Sequence, residues 1–188
     1  AYTRAIELIG EPKKTDWSLF YYRGTCYERA KQWAKAEPDF LKALELNPNE
    51  ADVLNYLGYS WVDMGLNLDK GLDMIRKAVE LQPNNGYIID SLGWAYYRLG
   101  RFEEAVEQLE KAVVLRSVDP EINDHLGDAY WRAGRKLEAR FQWNIASSVD
   151  TEGKVKARVA PKLAGGLDAA PVPEDSAPIE EAPQASVL

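Results

Sequence analysis

Small, aromatic and bulky apolar residues recur along this chain at fixed intervals, and the intervals predict helices. Four glycines stand at equivalent points of four similar phrases, Tyr22-Arg23-Gly24, Tyr56-Leu57-Gly58, Ser91-Leu92-Gly93 and His125-Leu126-Gly127, spaced 34, 35 and 34 residues apart. An aromatic follows each glycine by three residues: Tyr27, Trp61, Tyr96 and Tyr130. A second apolar stripe then opens on a small residue (Ala36, Gly71, Ala105, Ala139), carries a bulky one (Phe40, Ile75, Leu109, Trp143) and closes on alanine (Ala43, Ala78, Ala112, Ala146). Steps of three, four and seven place each stripe on one helix face. A period of this size describes stacked units, none of which can bury its apolar face alone.

Each unit therefore reads as two antiparallel helices. The glycine and the alanines allow close approach, and the aromatic and bulky residues fill the space beside that contact. Gly65, Gly100 and Gly134 fall where the first helix should end in a left-handed residue, and Pro48 and Pro83 follow the second helices. These residues resemble the signature of the tetratricopeptide repeat (TPR) family: Leu-Gly, an aromatic three residues on, then Ala, a bulky residue, Ala and Pro. The resemblance implies an all-α fold, a right-handed α-solenoid of four complete helix-turn-helix repeats at 17–50, 51–85, 86–119 and 120–153. Tyr2, Ala5 and Leu8 have the spacing of a second helix, so residues 1–16 read as the end of a preceding repeat and the sequence as a fragment of a longer chain.

Three departures qualify the pattern. Arg23 replaces the usual Leu before the glycine, and Pro38 lies inside a second helix, where it is expected to delay or kink it. The extra residue of the second unit falls in the turn Gly65-Leu66-Asn67-Leu68, where insertion costs little. Beyond residue 153, Val155, Val159 and Leu163 predict a short capping helix over 154–163, completing a solenoid of 1–163. From 164 to 188 the composition turns to Ala, Pro, Glu and Asp, the signature of a disordered acidic tail.

Charge and composition narrow the function classes. With 30 acidic against 23 basic residues and a net charge of −7, the chain lacks the basic field that nucleic acid or an anionic membrane requires. Cys26 is the single cysteine, which excludes an intramolecular disulfide and a cysteine-based zinc site. No uncharged apolar run is long enough to span a bilayer.

In TPR proteins the first helices line a concave face through the second, fifth, ninth, twelfth and thirteenth residues of each unit. Carried onto this chain, that resemblance predicts a groove lined by Tyr21, Thr25, Asn55, Tyr59, Tyr87, Asp90, Trp94, Tyr97, Arg98, Asp124, Asp128, Trp131 and Arg132. The face is aromatic and acidic, centred on exposed Trp94 and Trp131, and suits a protein or peptide with apolar groups and positive charge. Trp61 and Trp143 occupy packing positions, and Trp17 and Trp33 read as packing or edge residues. The carboxylate clamp of some TPR domains needs cations in the groove, whereas the fifth positions here are Tyr21, Asn55, Asp90 and Asp124.

Catalytic chemistry is hard to assemble from these residues. His125, the only histidine, has Asp124 and Asp128 nearby but no serine or cysteine spaced to act as a nucleophile, and it reads as a structural or groove residue. Asp90, Asp124 and Asp128 offer at most a loose cation site, with no acidic loop of EF-hand type. No cofactor is expected.

Three stretches are more particular: Leu54-Asn55-Tyr56-Leu57-Gly58-Tyr59, then Asp90-Ser91-Leu92-Gly93-Trp94 with Tyr97-Arg98-Leu99-Gly100, and His125-Leu126-Gly127-Asp128 with Trp131 and Trp143. They resemble the C-terminal repeats of envelope-associated TPR proteins of Gram-negative bacteria, a group that includes lipoprotein adaptors of a carboxyl-terminal processing protease. That likeness implies a periplasmic or outer-membrane-associated adaptor holding the protease or its substrates, with the cytoplasm as the other compartment. The final Ser186-Val187-Leu188 resembles ligands of PDZ domains. Two other readings stand beside the scaffold: the repeat region of a larger enzyme, such as a TPR-containing glycosyltransferase, and a self-associating structural array.

Overall fold

The computed structural model describes residues 1–167, which form ten α-helices, one 3-10 turn (Lys14–Asp16) and no strand. The first helices of the repeats are α2 (Trp17–Arg29), α4 (Ala51–Asp63), α6 (Gly86–Arg98) and α8 (Pro120–Arg132), each of 13 residues. Their antiparallel partners α3 (Trp33–Leu46), α5 (Leu68–Leu81), α7 (Phe102–Leu115) and α9 (Lys136–Val149) each have 14. Helix α1 (Tyr2–Ile9) packs on α2, and α10 (Lys154–Gly165) packs on α9 and α8 as α8 packs on α7 and α6.

The close helix pairs follow from the small residues. Ala36, Ala43, Phe40, Ile75, Ala78, Ala105, Leu109, Ala112, Ala139, Trp143 and Ala146 are completely buried. In the second repeat glycines meet from both sides. A Cβ on Gly58 would lie 2.7 Å from the Gly71 carbonyl oxygen, and one on Gly71 2.9 Å from that of Gly58. Only hydrogen at both positions permits that backbone approach.

The four hairpin turns share one geometry. The amides of Gln32, Leu66, Arg101 and Arg135 bond the carbonyls of Tyr27, Trp61, Tyr96 and Tyr130 at 2.7–2.9 Å. Each turn places the preceding residue in the left-handed region: Gly65, Gly100 and Gly134 as expected, but Lys31 in the first repeat, with φ 56°. Lys31→Gly should therefore stabilise the protein by about 1 kcal/mol, since a side chain in this conformation costs roughly that much. Chemical denaturation measures it, and no gain would show that Lys31 bears no strain. The extra residue of the second repeat is absorbed by Asn67, also left-handed at φ 44°.

Two expectations need correction. Pro38 does not delay α3, which starts in register and runs Trp33–Leu46 with Pro38 inside, its buried face outweighing the lost amide donor. The boundary at 163 is also too early. Helix α10 continues to Gly165, and Leu167 is buried in the same apolar cluster as Trp131 and Val159. The rest of the expected tail, with Ser186-Val187-Leu188, lies outside the described residues. Arg23, the atypical residue, turns inward as half of an ion pair, bonding buried Asp39 through Nε and Nη2 at 2.7 Å each.

Candidate functional site

Successive first helices are tied to one another by charge pairs 34 to 38 residues apart. Arg98 of α6 meets Asp63 of α4 at 2.6 Å. The Nδ1 of His125 on α8 lies 3.0 and 3.1 Å from the two oxygens of Asp90 on α6. From α10, Arg158 Nε bonds Asp124 at 2.7 Å and also pairs with Glu121. Lys162 Nζ sits 2.7 Å from Asp124 and 2.8 Å from both oxygens of Asp128. In each case the carboxylate belongs to one first helix and the cation to the next. By this register α10 takes the place of the first helix of a fifth repeat.

This arrangement corrects the expected groove at its C-terminal end. Trp94 and Trp131 are only 5% and 9% exposed, and Tyr97, Arg98, Asp124 and Asp128 are buried. Trp94 is sandwiched between Tyr97 and His125, with ring centroids 4.7 and 4.2 Å away. Trp131 leans on Trp143 and is covered by Gly166. Of the carboxylates expected to attract a partner's cations, Asp124 and Asp128 receive those of α10 instead, and Asp90 meets His125. Asp128 also accepts from Trp143 Nε1 at 2.9 Å. Burial, with Asp124 beside it, raises the Asp128 pKa to about 6 against the opposing pull of Lys162 and Trp143.

The N-terminal part of the concave side stays open. A pocket of about 640 Å³ lies among α2, α4, α6 and α8, bringing together Asn55, Tyr59, Tyr87, Asp90 and His125. It also collects residues that the groove prediction did not name, including Glu28, Tyr56, Asp63 and Trp33. Glu28 and Asp63 stand at the twelfth and thirteenth positions of their units, so the same offsets could have found them. Tyr56 and Trp33 enter through the tilt between helices, which no offset encodes. Tyr21 and Thr25 are half-buried outside this pocket, Tyr21 packing edge-on to Tyr56, and Arg132 is half-buried on α8.

Two polar atoms on this wall, Asn55 Oδ1 and Trp33 Nε1, are buried without a hydrogen-bond partner. The tyrosines report the local field. Burial pushes the Tyr59 hydroxyl well above its usual pKa, and Asp63 and Asp90 push it further. Burial and then the bond to Glu28 raise Tyr56 to about 12. Among the described residues no group of three or more His, Cys, Asp or Glu is placed to hold a metal ion. No helix among them is long and apolar enough to cross a membrane.

His125 is the titrating element of this wall. Burial pulls its imidazolium pKa down, but the charge and hydrogen bond of Asp90, helped by Asp124 and Glu121, outweigh that and leave it raised. A raised folded-state value means that the His125–Asp90 clasp contributes fully below about pH 6.5 and is lost as pH rises through the folded value. Asp90→Asn should lower the pKa and flatten the corresponding part of the stability profile. Titration of the ring protons of this sole histidine measures it; an unchanged pKa would contradict the assignment.

The comparisons agree with the repeat geometry. The family described as "Tetratricopeptide repeat" matches residues 17–50, and that described as "TPR repeat" matches residues 93–134. The chain folds as a tetratricopeptide-repeat solenoid. The TPR protein TTC0263 of Thermus thermophilus superposes with a TM-score of 0.72 at 19% identity, covering 87% of each chain. YrrB, described as a TPR protein with an unusual peptide-binding site, gives 0.64 at 20% identity over 83% of this chain and 78% of its own. A MamA structure gives 0.62 at 23% identity over 85% and 88%. No curated protein matches the chain by sequence. Within this TPR solenoid the open pocket belongs to the first three repeats, closed off by His125 of the fourth.

Proposed function

We propose that this TPR protein is a non-enzymatic scaffold that seats a segment of another protein in the pocket between α2 and α6. The observation that carries the proposal is the pocket itself. It is large enough for several side chains, walled by aromatic rings, and supplied with polar atoms that the fold leaves unpaired. YrrB supports the reading by likeness of fold, since its described peptide-binding site is built on the same architecture. The test is a paired capture experiment. Asn55→Ala with Tyr87→Ala should abolish association with the native partners, whereas Leu137→Ala, on a residue 83% exposed and outside the pocket, should leave it intact. Unaltered capture by the pocket variant would overturn the proposal.

A narrower form places the scaffold in the Gram-negative envelope, as an adaptor that holds a carboxyl-terminal processing protease or its substrates. Its support is the resemblance of the stretches around Tyr59, Trp94 and Trp131. Those around Trp94 and Trp131 now read as core and inter-repeat contacts. Release of the full-length protein with the periplasmic fraction, and co-purification with that protease, would be the expected result. Recovery in the cytosol would remove the envelope form and leave the scaffold.

A further inference from the structure

We propose that the pocket is an anchor site for a lysine or arginine side chain carried by the bound segment, an inference that rests on the groove reading above. Three observations lead to it. The first is charge: Glu28, Asp63 and Asp90 line the pocket, Asp63 already paired with Arg98, while Lys31 is an exposed residue of its lining. Tyr59 and Tyr56 register the resulting negative field in their raised pKa values, after the effect of burial. The second is shape: the rings of Tyr56, Tyr59 and Tyr87 line the pocket as apolar surface for an aliphatic stem, and Tyr87, which already carries the Arg116 guanidinium 4.7 Å from its centre, shows that an aromatic of this wall takes a cation.

The third is the way the same chain satisfies equivalent carboxylates one repeat further on. Asp124, in the register of Asp90, takes the guanidinium of Arg158 and the ammonium of Lys162, and Asp128 takes the indole of Trp143 and the same ammonium. The Lys162 head also lies 6.0 Å from the Trp143 ring centre. Asp90 receives less. A single His125 nitrogen is shared between its two oxygens, leaving acceptor positions on a carboxylate that offers about four. One repeat earlier the same register holds Asn55, whose Oδ1 has no partner. The solenoid thus fills its acidic concave surface with Lys and Arg at α8 and leaves Asn55 on α4 and Asp90 on α6 short of donors. A partner's lysine or arginine supplies them.

The test is selection from a random hexapeptide library on the immobilised protein, followed by affinity measurement on the selected peptides. Selected sequences should be enriched in Lys or Arg at one position, and replacing that residue by Gln should weaken binding about tenfold, the worth of one charge-assisted contact. Glu28→Gln and Asp90→Asn, with their folds checked by circular dichroism, should each weaken binding severalfold, and Tyr87→Ala should abolish it. Peptides that lose binding with Tyr87→Ala but show no basic preference would overturn the cation inference and leave the groove reading standing. Peptides indifferent to Tyr87→Ala, or no selection at all, would overturn both.

Discussion

Lys162→Met is expected to destabilise the protein by about 3–5 kcal/mol, the usual consequence of removing one partner of a buried ion pair. Its ammonium is the shared donor for Asp124 and Asp128, which are 1% and 4% exposed, and methionine removes it from a carboxyl whose pKa burial already raises, so that Asp128 is driven to take up a proton beside the Trp143 indole. Asp124 would keep Arg158. The loss therefore falls mainly on Asp128, and adding Asp128→Asn should recover much of it by removing the need to protonate a buried carboxyl. Urea unfolding at pH 7 measures both variants. A single variant within 1 kcal/mol of the parent would show that the Lys162 pairs contribute little to holding α10.

Trp143→Ala should cost a similar amount, about 3–5 kcal/mol, for a different reason. The indole is completely buried, fills the space beside Gly127, and packs against Trp131 with ring centres 5.4 Å apart. Alanine opens a cavity and also withdraws the Nε1 donor from Asp128. Trp143→Phe separates the two effects: it keeps most of the volume, loses the donor, and should show a smaller loss of about 1–3 kcal/mol. If both variants unfold alike, the hydrogen bond rather than the packing dominates.

The helices were legible because their cause is local. Gly24, Gly58, Gly93 and Gly127 mark helix contacts, and the bulky residues that oppose them recur at one distance in three units and one residue later in the second, whose turn carries the extra residue. The capping helix could be read from Val155, Val159 and Leu163. Its electrostatic role could not, since Lys162 pairs with residues 34 and 38 positions away whose burial follows only from the stacking of repeats. The candidate site divided on the same line. The offsets that place Asn55, Tyr59 and Asp90 on the concave side assume equal exposure along the solenoid. Asp124 and Asp128 have the same offsets but, like Trp131, are covered from α10 and its C-terminal end, and Trp94 and Tyr97 are closed in by stacking with His125 and with each other. Position within a repeat is encoded in the sequence period; accessibility depends on the neighbour that follows.

The proposed working surface is the open side of the first three repeats. A photoreactive phenylalanine analogue at position 87, on α6 and 51% exposed at the pocket, tests this against the same analogue at position 137, on α9 and outside it. Irradiation in the cells that make the protein should yield discrete adducts from position 87 that disappear with Asn55→Ala, and none from position 137. Adducts from position 137 with none from position 87 would contradict the account.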